Sequence, residues 1–185
     1  HLLDPVVWAL RLGNPDTVEA SSVKLPSRAT PHAMELPEGR VHPESATAAS
    51  LVRWHFPARD DMPPLNLRWY DGGLMPPRPD ELEPGRKMGD SDGGVLFIGD
   101  KGKLLCGCYG SDPHLLPDTR MQTYKKPPQT LPRSIGHYKE WVRACKGGEP
   151  ACSNFDYSGP LTEIIMLGIA AIRADMKLHW DAQTL

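Results

Sequence analysis

An α+β fold is what this sequence predicts, on three observations. Helical stripes stand near both ends, strand-like alternation fills the middle, and glycine or proline marks nearly every junction. The 185 residues suit one domain, by the general expectation of about 100–200 residues per domain. Such a chain is long enough to bury a core without disulfide or metal staples.

The elements follow in order. Leu2, Leu3, Val6, Val7 and Leu10 repeat at helical spacing, with Asp4-Pro5 as N-cap and first-turn proline and Gly13 and Pro15 as the stop. Thr17 to Ser22, Ala48 to Pro57 and Leu65 to Tyr70 read as strands, the last broken by Gly72-Gly73. Four prolines between residues 74 and 94 exclude a central strand there, although PDELEPGR suits one helical turn. Loops of that length are often functional, which makes this one a candidate lid. VLFIGDKGKLLCGCYG, residues 95 to 110, is a hairpin signal: two apolar segments around a glycine-bounded turn. A second proline-rich loop runs to Pro132. Ile135 to Cys145 then reads as a helix, with Tyr138, Trp141, Val142 and Cys145 on one face and Gly147-Gly148 as its end. Pro160 to Arg173 is the clearest helix, capped by Ser158 or Gly159 and lined by Leu161, Ile164, Ile165, Gly168 and Ile172. A glycine inside a helix costs about 1 kcal/mol against alanine, so a close neighbour is expected at Gly168. LHWD, residues 178 to 181, closes the chain as a strand.

Composition narrows the function. Lysine and arginine total 21 against 23 acidic residues, without a basic cluster, which argues against nucleic acid or an anionic membrane as the main partner. The apolar run from Ile164 to Ile172 is far shorter than the roughly 20 residues of a membrane span. Four cysteines make neither a disulfide framework nor a zinc site, because only Cys106 and Cys108 are closely paired; free thiols are expected. No signal peptide is visible, and the compartment is left open.

Five segments carry a resemblance. The opening HLLDPVVWAL, the strand end WYDGG, the hairpin GVLFIGDKGKLL, the helix HYKEWVRACKGGEP and the run NFDYSGPLTEIIMLGIAAIRADMKLHWD resemble, in order, the C-terminal part of glucose-fructose oxidoreductase/inositol dehydrogenase-type (Gfo/Idh/MocA) enzymes. The resemblance implies an open, mostly antiparallel sheet with helices packed on one face. It also implies that residues 1–185 form a single substrate-binding and oligomerisation domain of an NAD(P)-dependent oxidoreductase acting on a sugar or polyol. NAD or NADP would bind a Rossmann domain outside this sequence. The seventeen glycines form no G-x-G-x-x-G after a strand, and the family's Glu-Lys-Pro motif is missing, so the fragment alone is expected neither to hold the cofactor nor to turn over.

The same resemblance implies that the family's Asp-x-x-x-His motif ends at His1, its aspartate lying ahead of the first residue. An imidazole at that place accepts the proton of a substrate hydroxyl while hydride leaves the adjacent carbon, which makes His1 the candidate catalytic residue. Asp4 reads as an N-cap rather than an acid of the site. His137 and Tyr138, at the head of a helix, are candidate substrate contacts, with an exposed surface position as the alternative. Trp69, Tyr70 and Asp71 suit sugar binding, against packing for Trp69 and a turn role for Asp71. The remaining histidines, 32, 42, 55, 114 and 179, lack metal-ligand spacing. A copper-binding N-terminal histidine conflicts with the helical stripe that begins at Leu2. Two further readings stand beside the dehydrogenase. One is an NAD-dependent glycosidase of the same superfamily; the other is a pure homo-oligomerisation module. The oligomer would form through a bare sheet face carrying Leu51, Arg53, His55, Leu67 and Trp69.

Overall fold

A computed structural model describes residues 1–24 and 45–184. The elements run α1 (Asp4–Leu10), β1 (Thr17–Val23), β2 (Ala49–Phe56), β3 (Leu65–Tyr70), β4 (Gly94–Gly99), β5 (Gly102–Gly107), β6 (His114–Leu116), α2 (Asp118–Thr123), α3 (His137–Cys145), α4 (Phe155–Ala174) and β7 (Leu178–His179). The fold is α+β, and every strand pairing among the described residues is antiparallel. Where one open sheet is expected, the strands divide into two, ordered β3-β2-β1-β7 and β4-β5-β6. Each belongs to its own compact unit: His1–Leu12 with Pro77–Thr162, and Gly13–Pro76 with Glu163–Leu185. His32 and His42 lie outside the described residues.

In the second unit, β2 shows the period-2 pattern of a half-buried strand. Ser50, Val52, Trp54 and Phe56 are buried, while Leu51, Arg53 and His55 on the other face are only partly covered. The C-terminal part of α4 lies on the buried face. The Trp54 indole Nε1 donates to the Ile164 carbonyl at 3.0 Å. A Cβ on Gly168 would lie 2.5 Å from Trp54 Cζ2, so the close neighbour expected there is this indole. Directly opposed residues of an antiparallel pair share a face. Leu67 stands opposite Trp54 and Trp69 opposite Val52, so both turn inward. The outer face instead carries Thr17, Glu19 and Ser21, then His55, Arg53 and Leu51, then Asn66, Arg68 and Tyr70. The five residues read as one bare face therefore divide between two, and the outer one is mostly polar.

In the first unit, β4 and β5 form the expected hairpin, Gly99 facing Gly102. Leu82, Leu105 and Leu116 make its core, with Met88 and Leu96 packed beside them. Leu82 belongs to the candidate lid, and Arg78 fixes its surroundings by donating to the carbonyls of Arg86 at 2.8 Å and Glu83 at 2.6 Å. The stretch is mostly exposed but is pinned to the unit at Leu82 and by Arg78. The strand β6 and helix α2 occupy what the prolines mark as plain loop.

Several boundaries differ from the sequence reading, three of them for a visible reason. Leu3, not Asp4, is the N-cap of α1, and Asp4 is its first helical residue. Helix α4 starts at Phe155, ahead of Pro160. Asn154 supplies that start: its Oδ1 accepts the Tyr157 N–H at 3.2 Å and its carbonyl the Ser158 N–H at 2.8 Å. Pro160 then lies inside the helix, in its second turn, and forfeits one backbone bond there. The closing strand shrinks to Leu178–His179, although the Trp180 N–H still reaches the Asp16 carbonyl at 2.9 Å.

Gly168→Ala tests the packing. Helix propensity alone favours the alanine by about 1 kcal/mol. Forcing its methyl into the indole is expected to cost more, leaving a net loss of about 1–2 kcal/mol in urea unfolding. A more stable variant would contradict the contact.

Candidate functional site

The candidate site grows from the first turn of α1. Asp4 begins the helix, where a carboxylate is favoured by unpaired N–H groups. Its Oδ1 accepts a hydrogen bond from the Tyr157 hydroxyl, near the start of α4. Burial, with the Asp4 carboxylate beside it, pushes the Tyr157 phenol well above its ordinary value near 10, so the phenol stays a donor. Two further contacts grip the same turn. A Cβ on Gly93 would lie 3.1 Å from Leu2 Cδ1, and one on Gly110 3.4 Å from the Pro5 ring.

With α1 held in this way, the exposed His1 imidazole faces the Tyr109 ring, centroids 4.6 Å apart and planes at 41°. Tyr109 sits in the short 3-10 turn Cys108–Gly110 with φ 59° and ψ 16°, the left-handed region. The turn is braced from both sides. The Gly107 N–H donates to the Ser111 carbonyl at 2.8 Å, and Asp90 Oδ2 accepts the Cys108 N–H at 2.9 Å and the Ser111 hydroxyl at 3.2 Å. The Asp92 N–H above all, with these other donors, holds the Asp90 carboxyl below the usual carboxylate range.

His137 and Tyr138 open α3 as exposed residues, their rings 4.0 Å apart. Tyr138 lines an open groove of about 520 Å³ with Lys139, Val142, Arg143, Lys146 and Gly148; His137 is not among the lining residues. Among the described residues, no hydrogen bond, ion pair or ring contact joins this pair to His1. The apolar face expected on α3 is turned to solvent: Tyr138 is 76% and Trp141 65% exposed. The buried residue is Glu140, whose carboxylate accepts the Ser134 hydroxyl and, at 3.0 Å, the Cys152 N–H. Ser134 first, and then that N–H, hold Glu140 below its ordinary value.

The Trp69–Asp71 segment takes its structural reading. Asp71 accepts the Ser50 N–H at 2.5 Å, the Ser50 hydroxyl at 2.6 Å and the Trp69 indole at 2.8 Å, so its oxygens are committed to holding the strand end. On the outer sheet face, His55 Nδ1 meets Asp16 Oδ1 at 2.7 Å and Arg53 pairs with Glu19 at 3.5 Å. All four cysteines are free, with Cys106 and Cys108 buried and Cys145 and Cys152 exposed. Among the described residues, no group of three or more histidine, cysteine or acidic side chains is arranged to hold a metal ion.

No protein-family model matches the chain, and no curated protein matches it either. Tyr109 and Tyr157 are the residues that sequence reading missed. Tyr157 stands ahead of Pro160, where the helix was expected to begin. Tyr109 stands in a turn whose left-handed backbone leaves no compositional trace.

Alkaline unfolding tests the Asp4–Tyr157 bond. The unfolded phenol ionises near 10 while the folded one keeps its proton, so the bond's stabilisation is present below that pH and is lost as pH rises beyond it. Denaturant unfolding between about pH 9 and pH 11 should show a steeper loss for the unmodified chain than for Tyr157→Phe. Parallel slopes would contradict the arrangement.

Proposed function

We propose that this chain supplies the substrate-binding and homo-oligomerising part of an NAD(P)-dependent oxidoreductase of Gfo/Idh/MocA type, acting on a sugar or polyol. The observation that carries the reading is the ordered set of five family-like segments. The contacts of the first turn lend support, because one joins two members of that set and two others reach residues beside a third. Asp4 meets Tyr157 of the last segment, and Leu2 and Pro5 meet Gly93 and Gly110, which flank the hairpin.

The chemistry assigned to this chain is proton transfer. His1 is exposed at the end of a fixed turn, where its imidazole accepts the proton of a secondary hydroxyl as the carbinol carbon becomes a ketone. Nicotinamide, when bound, takes up the hydride. The described residues form no glycine-rich turn between a parallel strand and a helix, so they do not fit the dinucleotide, and its grip is assigned to residues outside this sequence. In this reading oligomers form across the outer sheet face, where Arg53, Glu19 and Arg68 make contact polar and specific.

The test uses the open reading frame with the region encoded ahead of His1, assayed for NAD(P)H formation on a panel of sugars and polyols. Turnover is expected, and His1→Asn should lower kcat by about 10²- to 10⁴-fold. Absence of turnover on the whole panel, or an unchanged kcat in His1→Asn, would contradict the reading. Sedimentation should show a dimer or larger; a monomer at high micromolar concentration would remove the oligomerising role.

A further inference from the structure

We infer that Tyr109 is the aromatic platform of the substrate site, against which the C–H face of a sugar or cyclitol ring lies while one hydroxyl meets His1. The inference deepens the functional reading above and rests on it.

Three observations converge on this residue. First, its φ of 59° puts a bulky side chain where glycine or asparagine is the ordinary occupant. Such strain persists only where the surroundings over-determine it, and here Asp90, Ser111 and Gly107 fix the turn from both sides. Second, the ring gains the core little in return, because Tyr109 is 65% exposed. A glycine at this place would relieve the backbone and forfeit little packing. Third, the one ring contact Tyr109 makes among the described residues is with His1, at 4.6 Å. Other exposed aromatics, Tyr138, Trp141 and Phe155, stand on right-handed helices and carry no such strain.

The chemistry suits the proposed substrate class. A pyranose or cyclitol presents apolar C–H groups on its face and hydroxyls around its rim. A flat, rigid aromatic surface covers the face and leaves the rim to a polar neighbour. The imidazole packed against the ring supplies the polar half of that recognition, and the part of the ring left exposed supplies the apolar half. The aromatic cluster at Trp69 and Asp71 does not, because its carboxylate and its indole N–H are already bonded to one another and the carboxylate also holds Ser50.

The experiment compares Tyr109→Gly and Tyr109→Phe in the full open reading frame, with KM, kcat and Tm measured for each. Tyr109→Gly should keep or raise Tm while raising KM for the sugar about tenfold, with a smaller effect on kcat; Tyr109→Phe should restore KM to within about twofold. A lowered Tm in Tyr109→Gly would make the ring a support of the fold and overturn the inference. So would an unchanged KM, or equal losses in both variants. If the unmodified enzyme turns over, these failures leave the oxidoreductase reading standing. If it reduces NAD(P)⁺ with none of the sugars or polyols, the reading falls and takes the inference with it.

Discussion

The hydrogen bond from Tyr157 to Asp4 is the constraint on which the candidate site depends. It spans 153 positions of the sequence and joins the first turn of α1 to the first turn of α4. Hydrogen bonds to charged groups contribute about 1.5–3 kcal/mol, enough to decide where a seven-residue helix begins. A helix this short has little stability of its own. It takes its position from Tyr157 and from the close approaches at Gly93 and Gly110. His1 inherits that position and meets Tyr109. Without the phenol, Asp4 would turn to water and the turn that carries the histidine would loosen.

The second unit obeys a different logic, one of packing. A large indole on β2 needs a helix backbone within reach, and only a residue without Cβ permits that approach. Gly168 allows it, and the Ile164 carbonyl gives the buried indole N–H its partner. The opposite sheet face is left to half-covered polar groups, a hydrogen bond between Asp16 and His55 and an ion pair of Glu19 with Arg53. Exposed pairs of this kind add little stability, so the packing of the inner face carries this unit.

Much of the fold was legible because it is written in local periodicity. The alternation in β2, the glycine-bounded hairpin β4–β5 and the isolated glycine of α4 each announce themselves within a few residues. What failed to show is non-local or conformational. The register of β3 on β2 decides that Leu67 and Trp69 face inward, and neither strand states it alone. Pro160 reads as a helix start, yet Asn154 wins by capping the turn before it. Proline-rich composition hid β6 and α2. The apolar stripe of α3 predicts burial by its period, whereas the residue actually enclosed is Glu140, satisfied by Ser134 and Cys152. Of the candidate site, the resemblance points to His1 alone. Its neighbour Tyr109 depends on a backbone angle, and its anchor Tyr157 on a partner at the far end of the chain.

Nuclear Overhauser spectroscopy on the 185-residue chain addresses the central claim most directly. The account predicts cross-peaks between the His1 imidazole protons and the Tyr109 ring protons, and their marked weakening when Tyr157 is replaced by phenylalanine. Cross-peaks absent from the unmodified chain, or undiminished in the variant, would show that the phenol does not hold the histidine in place.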